Sequence, residues 1–199
     1  MSAHTLDTEV AAEENEHAGW EGSEVSSAEI DWLKRTRRIP EGVECRRPTG
    51  EIEPTPAAGE RVVFVAHFER GFGLPASPFF WAFLNKFHLQ PHHLPANAVT
   101  QLSTLAAFSE GYLGLWPTVE LWAKYFQLQK QSIPEGPEVH PNRMTATGGA
   151  SIAPRKSSIF PRILGLESCR KWQRTFFYMK NTGNEDLINL LPFDLPPAQ

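Results

Sequence analysis

From Phe68 to Trp116 the apolar positions are dense, and their spacing is that of helices. Phe79, Phe80, Phe83, Leu84 and Phe87 recur at three and four residues, so ASPFFWAFLNKFHL predicts a helix with Ser77 as N-cap and Pro78 at its first position; Pro91 stops it. A second helix follows the loop QPHHLPAN. Asn97 is its expected N-cap, Val99, Leu102, Leu105, Ala106, Phe108, Tyr112 and Leu113 its apolar face, and Gly114 its left-handed C-terminal cap. A third should start near Thr118, carry Val119, Trp122, Tyr125 and Phe126 on one side, and fade before Pro134. Short connections between them imply a compact helical cluster.

The flanks read differently. Val62, Val63, Phe64 and Val65 form a β-branched and aromatic run, although Phe64 and Phe68 also fit helical spacing. RTFFYMK, from Arg174 to Lys180, is strand-like, so the part after Pro141 should form a small antiparallel sheet packed on the helices. Upstream, a short helix around Ile30, Trp32 and Leu33 ends before Pro40, and Pro54, Pro56 and Gly59 make a linker. The expected class is α+β: about three to four helices followed by a small antiparallel sheet, behind a disordered acidic leader. The chain divides into leader (1–27), short helix and Pro-rich linker (28–59), folded domain (60–195) and tail (196–199). The apolar segment before the terminal PPAQ leads to no clear terminal element, so a piece of a longer reading frame is expected.

Composition supports one ordinary core: 199 residues, 41% of them hydrophobic. The net charge of −4 conceals an asymmetry, since residues 1–60 hold 6 Lys and Arg against 14 Asp and Glu while the remainder hold 13 against 9. The acidity sits in a leader rich in Glu, Ala and Ser, with Trp20 as its lone aromatic residue, and such a segment buries too little apolar surface to offset the entropy of ordering. Asn85, Lys86 and His88 interrupt the longest apolar stretch well short of the ~20 residues that cross a bilayer, and the acidic start does not read as a secretory signal; an intracellular protein is expected. Cys45 and Cys169, far apart and outside any CxxC pattern, read as free thiols in a reducing compartment.

Particular strings carry a resemblance. ERVVFVAHFERGFGLPASPFFWAFLNKFHLQPHHLPANAV, then FSEGYLGLWPTVELWAKYFQLQKQ, then LESCRKWQRTFFYMKN closely resemble a plant family of gypsy-type transposon domains, also labelled a transposase. The RGFGLP turn, the LQPHHLPAN loop, the GYLG helix end and the KWQRTFFY segment stand in the family's order, over roughly residues 28 to 195. The resemblance implies an origin in plant retrotransposons and brings no catalytic residues with it.

The chemistry of a retroelement enzyme is not legible here. Transposases and integrases of the common type clamp two metal ions with a triad of carboxylates, usually two Asp and one Glu. Asp7, Asp31, Asp186 and Asp194 are the chain's aspartates, none between Trp32 and Glu185, and Glu69, Glu110 and Glu120 read as solvated helix faces. Neither the Asp-Thr/Ser-Gly loop of an aspartic protease nor adjacent aspartates of a reverse transcriptase occur, and two cysteines are too few for a zinc knuckle. His88, His92 and His93, with His67, could converge on a metal together with Cys169 or a Glu; the flanking Pro91 and Pro95 instead favour a structural loop with a capping histidine. Ser103, Thr104 and Ser109 lack a recognisable nucleophile motif. No catalytic residue, metal or cofactor is expected, and an enzyme of unrecognised type stays open only because absence of a motif is weak evidence.

Binding is what remains. Between Arg143 and Lys180 lie eight basic residues and one acidic one, Glu167; Arg155, Lys156, Arg162, Arg170, Lys171, Arg174 and Lys180 with Trp172 form a candidate nucleic-acid surface, and Phe160, Phe176 and Tyr178 add stacking faces. The plainer alternative is a core strand with solvated edges. Lys34, Arg35, Arg37 and Arg38 can act as a nuclear-localisation cluster or as the favourable basic end of a helix. The aromatic content, 11%, motivates the competing expectation of a protein-interaction or gag-like assembly module that associates with itself or with another element-encoded protein.

Overall fold

A computed structural model describes residues 20–130, 147–161, 163 and 167–181. Helix α1 (Ser27–Arg35) begins at a capping box: the Ser26 backbone N–H donates to Glu29 Oε2 at 2.7 Å, while Ser26 Oγ accepts from the Glu29 backbone N–H at 3.3 Å. Ile30 and Leu33 face inward, and Lys34 and Arg35 occupy the last turn, where positive charge is favourable. Strand β1 (Val43–Arg46) follows; nothing in its short, mixed sequence announced it.

The run RVVFVAHF, which carries two periodicities, adopts both. Glu60–Phe64 is strand β2, and helix α2 (Val65–Glu69) follows without an intervening loop. Strand β5 (Phe176–Asn181) lies between β1 and β2, antiparallel to each, with Val43 opposite Asn181 and Glu60 opposite Lys180. This central strand does not alternate: Phe176, Phe177, Tyr178 and Met179 are all 0% exposed. A strand buried on both faces needs apolar residues on both. Phe177 and Met179 join the main core under the helices, with Val63, Phe68, Phe83 and Leu102. Phe176 and Tyr178 join a smaller aromatic core on the other face, with Val62, Phe64, Trp20 and Trp172.

Trp20 corrects the expected extent of disorder. Residues 20–26 are packed: Trp20 stacks on Phe64 at 6.0 Å and meets Phe176 edge-on at 5.9 Å, Ser23 Oγ donates to the Phe176 carbonyl at 2.6 Å, and the Glu24 backbone N–H donates to the Arg174 carbonyl at 2.7 Å. The earlier leader, residues 1–19, and the tail lie outside the described residues.

Three helices form the cluster, with two changes at their ends. Helix α3 (Pro78–Phe87) starts as its sequence predicts, Ser77 Oγ accepting from the Phe80 N–H at 3.2 Å, and ends at His88 with φ of 53°. Helix α4 (Ala96–Phe108) is capped by Pro95, not Asn97: the Pro95 carbonyl accepts from the N–H groups of Ala98 and Val99, which puts Asn97 inside the first turn. A π-helical turn, Ser109–Leu113, follows and ends at Gly114 with φ of 62°. Its wider winding turns Tyr112 and Leu113 out of the expected apolar face.

Helix α5 (Val119–Tyr125) begins at Thr118, whose Oγ1 accepts from the Leu121 N–H at 3.1 Å. It stops earlier than its stripe predicts, because Phe126–Lys130 becomes strand β3 and pairs antiparallel with β4 (Ala150–Pro154). A partner strand some twenty residues away supplies the backbone hydrogen bonds, and Phe126 remains in the core. The fold is α+β, with five α-helices and two small antiparallel sheets among the described residues.

Candidate interaction surface

The histidine loop is scaffold. The short turn Pro91–His93 buries both of its imidazoles. His67 Nε2 donates to the Leu94 carbonyl at 3.0 Å, and its ring stacks on Trp172 at 5.1 Å; His93 Nδ1 accepts from the Gln90 backbone N–H at 3.0 Å. His92 packs on Trp20 at 5.6 Å, and its carbonyl accepts from Gly148 N–H. Burial pushes His67 down to about 3 and His93 down to about 4. His92 is held well below its ordinary value by burial, with the neighbouring His93 and His67 adding to the effect. These rings are neutral packing groups that tie the helical cluster to the aromatic core. Among the described residues, no group of three or more His, Cys, Asp or Glu side chains is placed to hold a metal ion.

Those of the basic residues singled out in the sequence that are described sit on or beside different elements. Arg174 pairs with Glu21 and Glu24 of the N-terminal segment. Lys180 is exposed but stands opposite Glu44 and Glu60 across the sheet. Arg155 donates from Nε to the Ala123 carbonyl at 2.6 Å beside β4, with Lys156 exposed next to it. Arg170 and Lys171 are exposed before β5, whereas Trp172 is 5% exposed and packed on Phe64 and His67. Phe160 lies against Phe108, Tyr125 and Phe126, so the candidate stacking rings Phe160, Trp172, Phe176 and Tyr178 all belong to packed clusters. Arg143 and Arg162 lie outside the described residues. In the other basic cluster, Lys34, Arg35 and Arg37 are exposed, and Arg38 covers the Trp32 ring and donates to the Phe68 carbonyl.

A different surface stands out, and it includes Tyr112 and Leu113, which the sequence places on the apolar face of a helix. From Tyr112 to Trp116 the chain exposes 83% of Tyr112, 45% of Leu113, 54% of Leu115 and 84% of Trp116. Tyr112 stacks on Phe108 at 5.5 Å, which fixes one edge of this knob. Next in sequence, from Pro117, the chain lines an open cleft of about 600 Å³ between α3 and the start of α5, whose walls include Pro78, Phe79, Ala82 and the oppositely charged Lys86 and Glu120. A second cleft, of about 320 Å³, runs between the Gly71–Ser77 turn and α4, with Glu110 in its lining. The available sequence signal was the pair of glycines, Gly111 and Gly114, which bracket Tyr112 and Leu113 and loosen a helix that periodicity alone would continue.

The carboxylates weighed in the sequence do not come together among the described residues. Glu69, Glu110 and Glu120 are each exposed on separate elements. Glu60, at the start of β2, is held below the usual carboxylate range chiefly by its hydrogen bonds to Arg46, whose guanidinium also lies 4.0 Å from the centre of the Tyr178 ring. That pair links the two outer strands across the Tyr178 ring of the central strand. Cys45 is a free thiol pushed up to about 11 by burial, and so is a poor nucleophile. No described helix is long and apolar enough to cross a membrane.

Fold and surface together define, among the described residues, a small α+β module with a packed histidine–tryptophan centre, an apolar knob and two clefts. Residues 62–130, from β2 through β3, match the model of a family described as "Putative gypsy type transposon". This is the family reached from the motifs, and the matched stretch holds RGFGLP, LQPHHLPAN, GYLG and the knob. No curated protein and no solved structure matches the chain.

Proposed function

We propose that this gypsy-type transposon-related chain is a non-catalytic protein-docking module, with the knob Tyr112–Trp116 as its contact surface. One observation carries the reading: four of the six exposed large hydrophobic residues among those described fall within five consecutive positions, and the two aromatic ones are more than four-fifths exposed. Isolated exposed apolar residues are ordinary, whereas a contiguous set containing Trp and Tyr is the composition of an interface centre. Two clefts on the same chain, one lined from Pro117 and one lined at Glu110, offer the relief that a partner's side chains fill. Nucleic acid is the lesser reading, because Arg174 and Lys180 already face carboxylates and the aromatic rings beside the basic residues are packed.

The test is site-specific photo-crosslinking of the full chain in its native cells, with a benzophenone side chain at position 112 or 116 and a control at Ile52, exposed elsewhere. Discrete protein adducts are expected from 112 and 116 and not from 52. A chain that gives no adduct at either position on the knob overturns the docking reading.

A further inference from the structure

An Arg or Lys three positions before a Ser or Thr occurs twice in the chain, at Arg46–Thr49 and Arg155–Ser158, and each pair encloses a second basic residue, Arg47 or Lys156. Positive charge at this spacing is what a basophilic serine/threonine kinase reads, because its substrate groove presents carboxylates to the residues before the hydroxyl. The fold separates the two sites. In RRPT, Arg46 pairs with Glu60 and lies over the Tyr178 ring, Arg47 donates from Nε to the Val25 carbonyl at 2.7 Å, and the Thr49 backbone N–H donates to Glu51. Both guanidinium groups are engaged within the fold, and Glu51 and Glu53 follow the hydroxyl.

RKSSI is presented differently. Strand β4 ends at Pro154, and Arg155, Lys156 and Ser157 are exposed in the turn that follows. Ile159, directly after Ser158, is 87% exposed, which offers an apolar side chain beside the acceptor hydroxyl. No Pro follows Ser157 or Ser158, and no Asp or Glu stands within three positions after either, so the pattern suits neither a proline-directed nor an acid-directed kinase. Two hydrogen bonds shape the turn: the Ser158 backbone N–H donates to the Arg155 carbonyl at 2.9 Å, and Ser158 Oγ accepts from the Phe160 N–H at 3.3 Å. Extending the segment in a kinase groove breaks these two bonds and leaves the pairing of β3 with β4 in place; exposed turns of this kind open at low local cost.

We propose that Ser158 is a phosphorylation site for a basophilic serine kinase, recognised through Arg155, Lys156 and Ile159. In the transfer, Ser158 Oγ bonds to the γ-phosphorus of ATP, the bond from that phosphorus to the bridging oxygen breaks and releases ADP, and the hydroxyl proton passes to the catalytic aspartate of the kinase. The product sets a charge of about −1.5 to −2 beside Arg155 and Lys156 and so offsets the positive charge of the turn. The site goes beyond the docking reading and does not depend on it.

The folded full chain, incubated with Mg-ATP and a purified kinase, tests it. The catalytic subunit of cyclic-AMP-dependent kinase serves as the basophilic probe, with a proline-directed and an acid-directed kinase as comparisons. Fragmentation mass spectrometry should place the phosphate on Ser158 with the basophilic probe, leave Thr49 unmodified, and find Ser158 unmodified with the other two. Ser158→Ala should abolish incorporation and Ser157→Ala should preserve it. Lys156→Glu, a change of an exposed side chain, should lower kcat/KM by about tenfold or more through like-charge contact with the acidic groove. A wild-type Ser158 left unmodified by the basophilic kinase overturns the assignment, as does phosphate carried on Ser157 or Thr49 in its place, or a kcat/KM indifferent to Lys156→Glu.

Discussion

At the scale of single residues, the family's motif letters are backbone devices. Gly71 in RGFGLP holds φ of 95°, and a Cβ there would stand 2.7 Å from the Cβ of Ser103 on α4. Only glycine meets both conditions without strain: a left-handed backbone costs other residues about 1–2 kcal/mol, and an overpacked contact a further 1–3 kcal/mol or so. Gly71→Ala is therefore expected to lower the unfolding free energy by about 2 kcal/mol or more in urea titrations. Adding Ser103→Gly should recover the steric share and leave the backbone share, a non-additive pair. If Gly71→Ala unfolds at the wild-type midpoint, the close approach does not matter. His93 shows the same logic with a side chain, its Nδ1 completing the N-terminal turn of a three-residue helix.

At the scale of elements, the unexpected partners lie far away in the sequence. Trp20 belongs to an acidic segment that composition reads as disordered, yet its ring closes the aromatic core over Phe64 and Phe176. Glu21 and Glu24 from the same segment meet Arg174, 153 and 150 positions later. Removal of a buried Trp side chain costs about 3–5 kcal/mol. Trp20→Ala should accordingly lower stability by about 3 kcal/mol, with near-ultraviolet circular dichroism and denaturant midpoints moving together. Loss of the aromatic signal without loss of stability would mean that residues 20–26 are an appendage and not part of the fold. The strand-to-helix junction at Phe64–Val65 is the other lesson at this scale: a short apolar run with mixed periodicity was not ambiguous but divided, half pairing with β5 and half turning over the core.

For the whole molecule, the buried histidines couple folding to pH. His67, His92 and His93 are each held below the ordinary value of 6.5, the first at about 3 and the third at about 4. The unfolded chain binds a proton at each near pH 6.5, while the folded chain resists it, so unfolding takes up protons. Stability is then full above about pH 6.5 and falls as pH drops toward about 4, by about 1.4 kcal/mol per pH unit for each histidine. Urea midpoints measured at about pH 7.5, 6 and 5 should decline steeply, and His67→Gln should flatten that slope; a stability independent of pH across this interval would refute the neutral, buried assignment.

The sequence by itself determined helices α3, α4 and α5 and the caps at Ser77, Thr118 and Gly114, though not the start of α4 at Pro95, because Ser77–Pro78, Thr118 and Gly114 act on backbone within one turn, and because a 3.6-residue stripe needs no distant partner to be read. It also carried the family likeness, since RGFGLP, LQPHHLPAN and GYLG are contiguous strings. What only the tertiary structure decided was every assignment that depends on a remote neighbour. β5 lies between β1 and β2, strand β3 replaces the last turn of a helix because β4 satisfies its backbone, and Trp172 is core while Arg174 is paired. The knob is the clearest case. Tyr112 and Leu113 have the spacing of a buried face, and a single π-helical turn points them at solvent. Periodicity states which residues share a side of a helix; the packing of the other elements states whether anything covers that side.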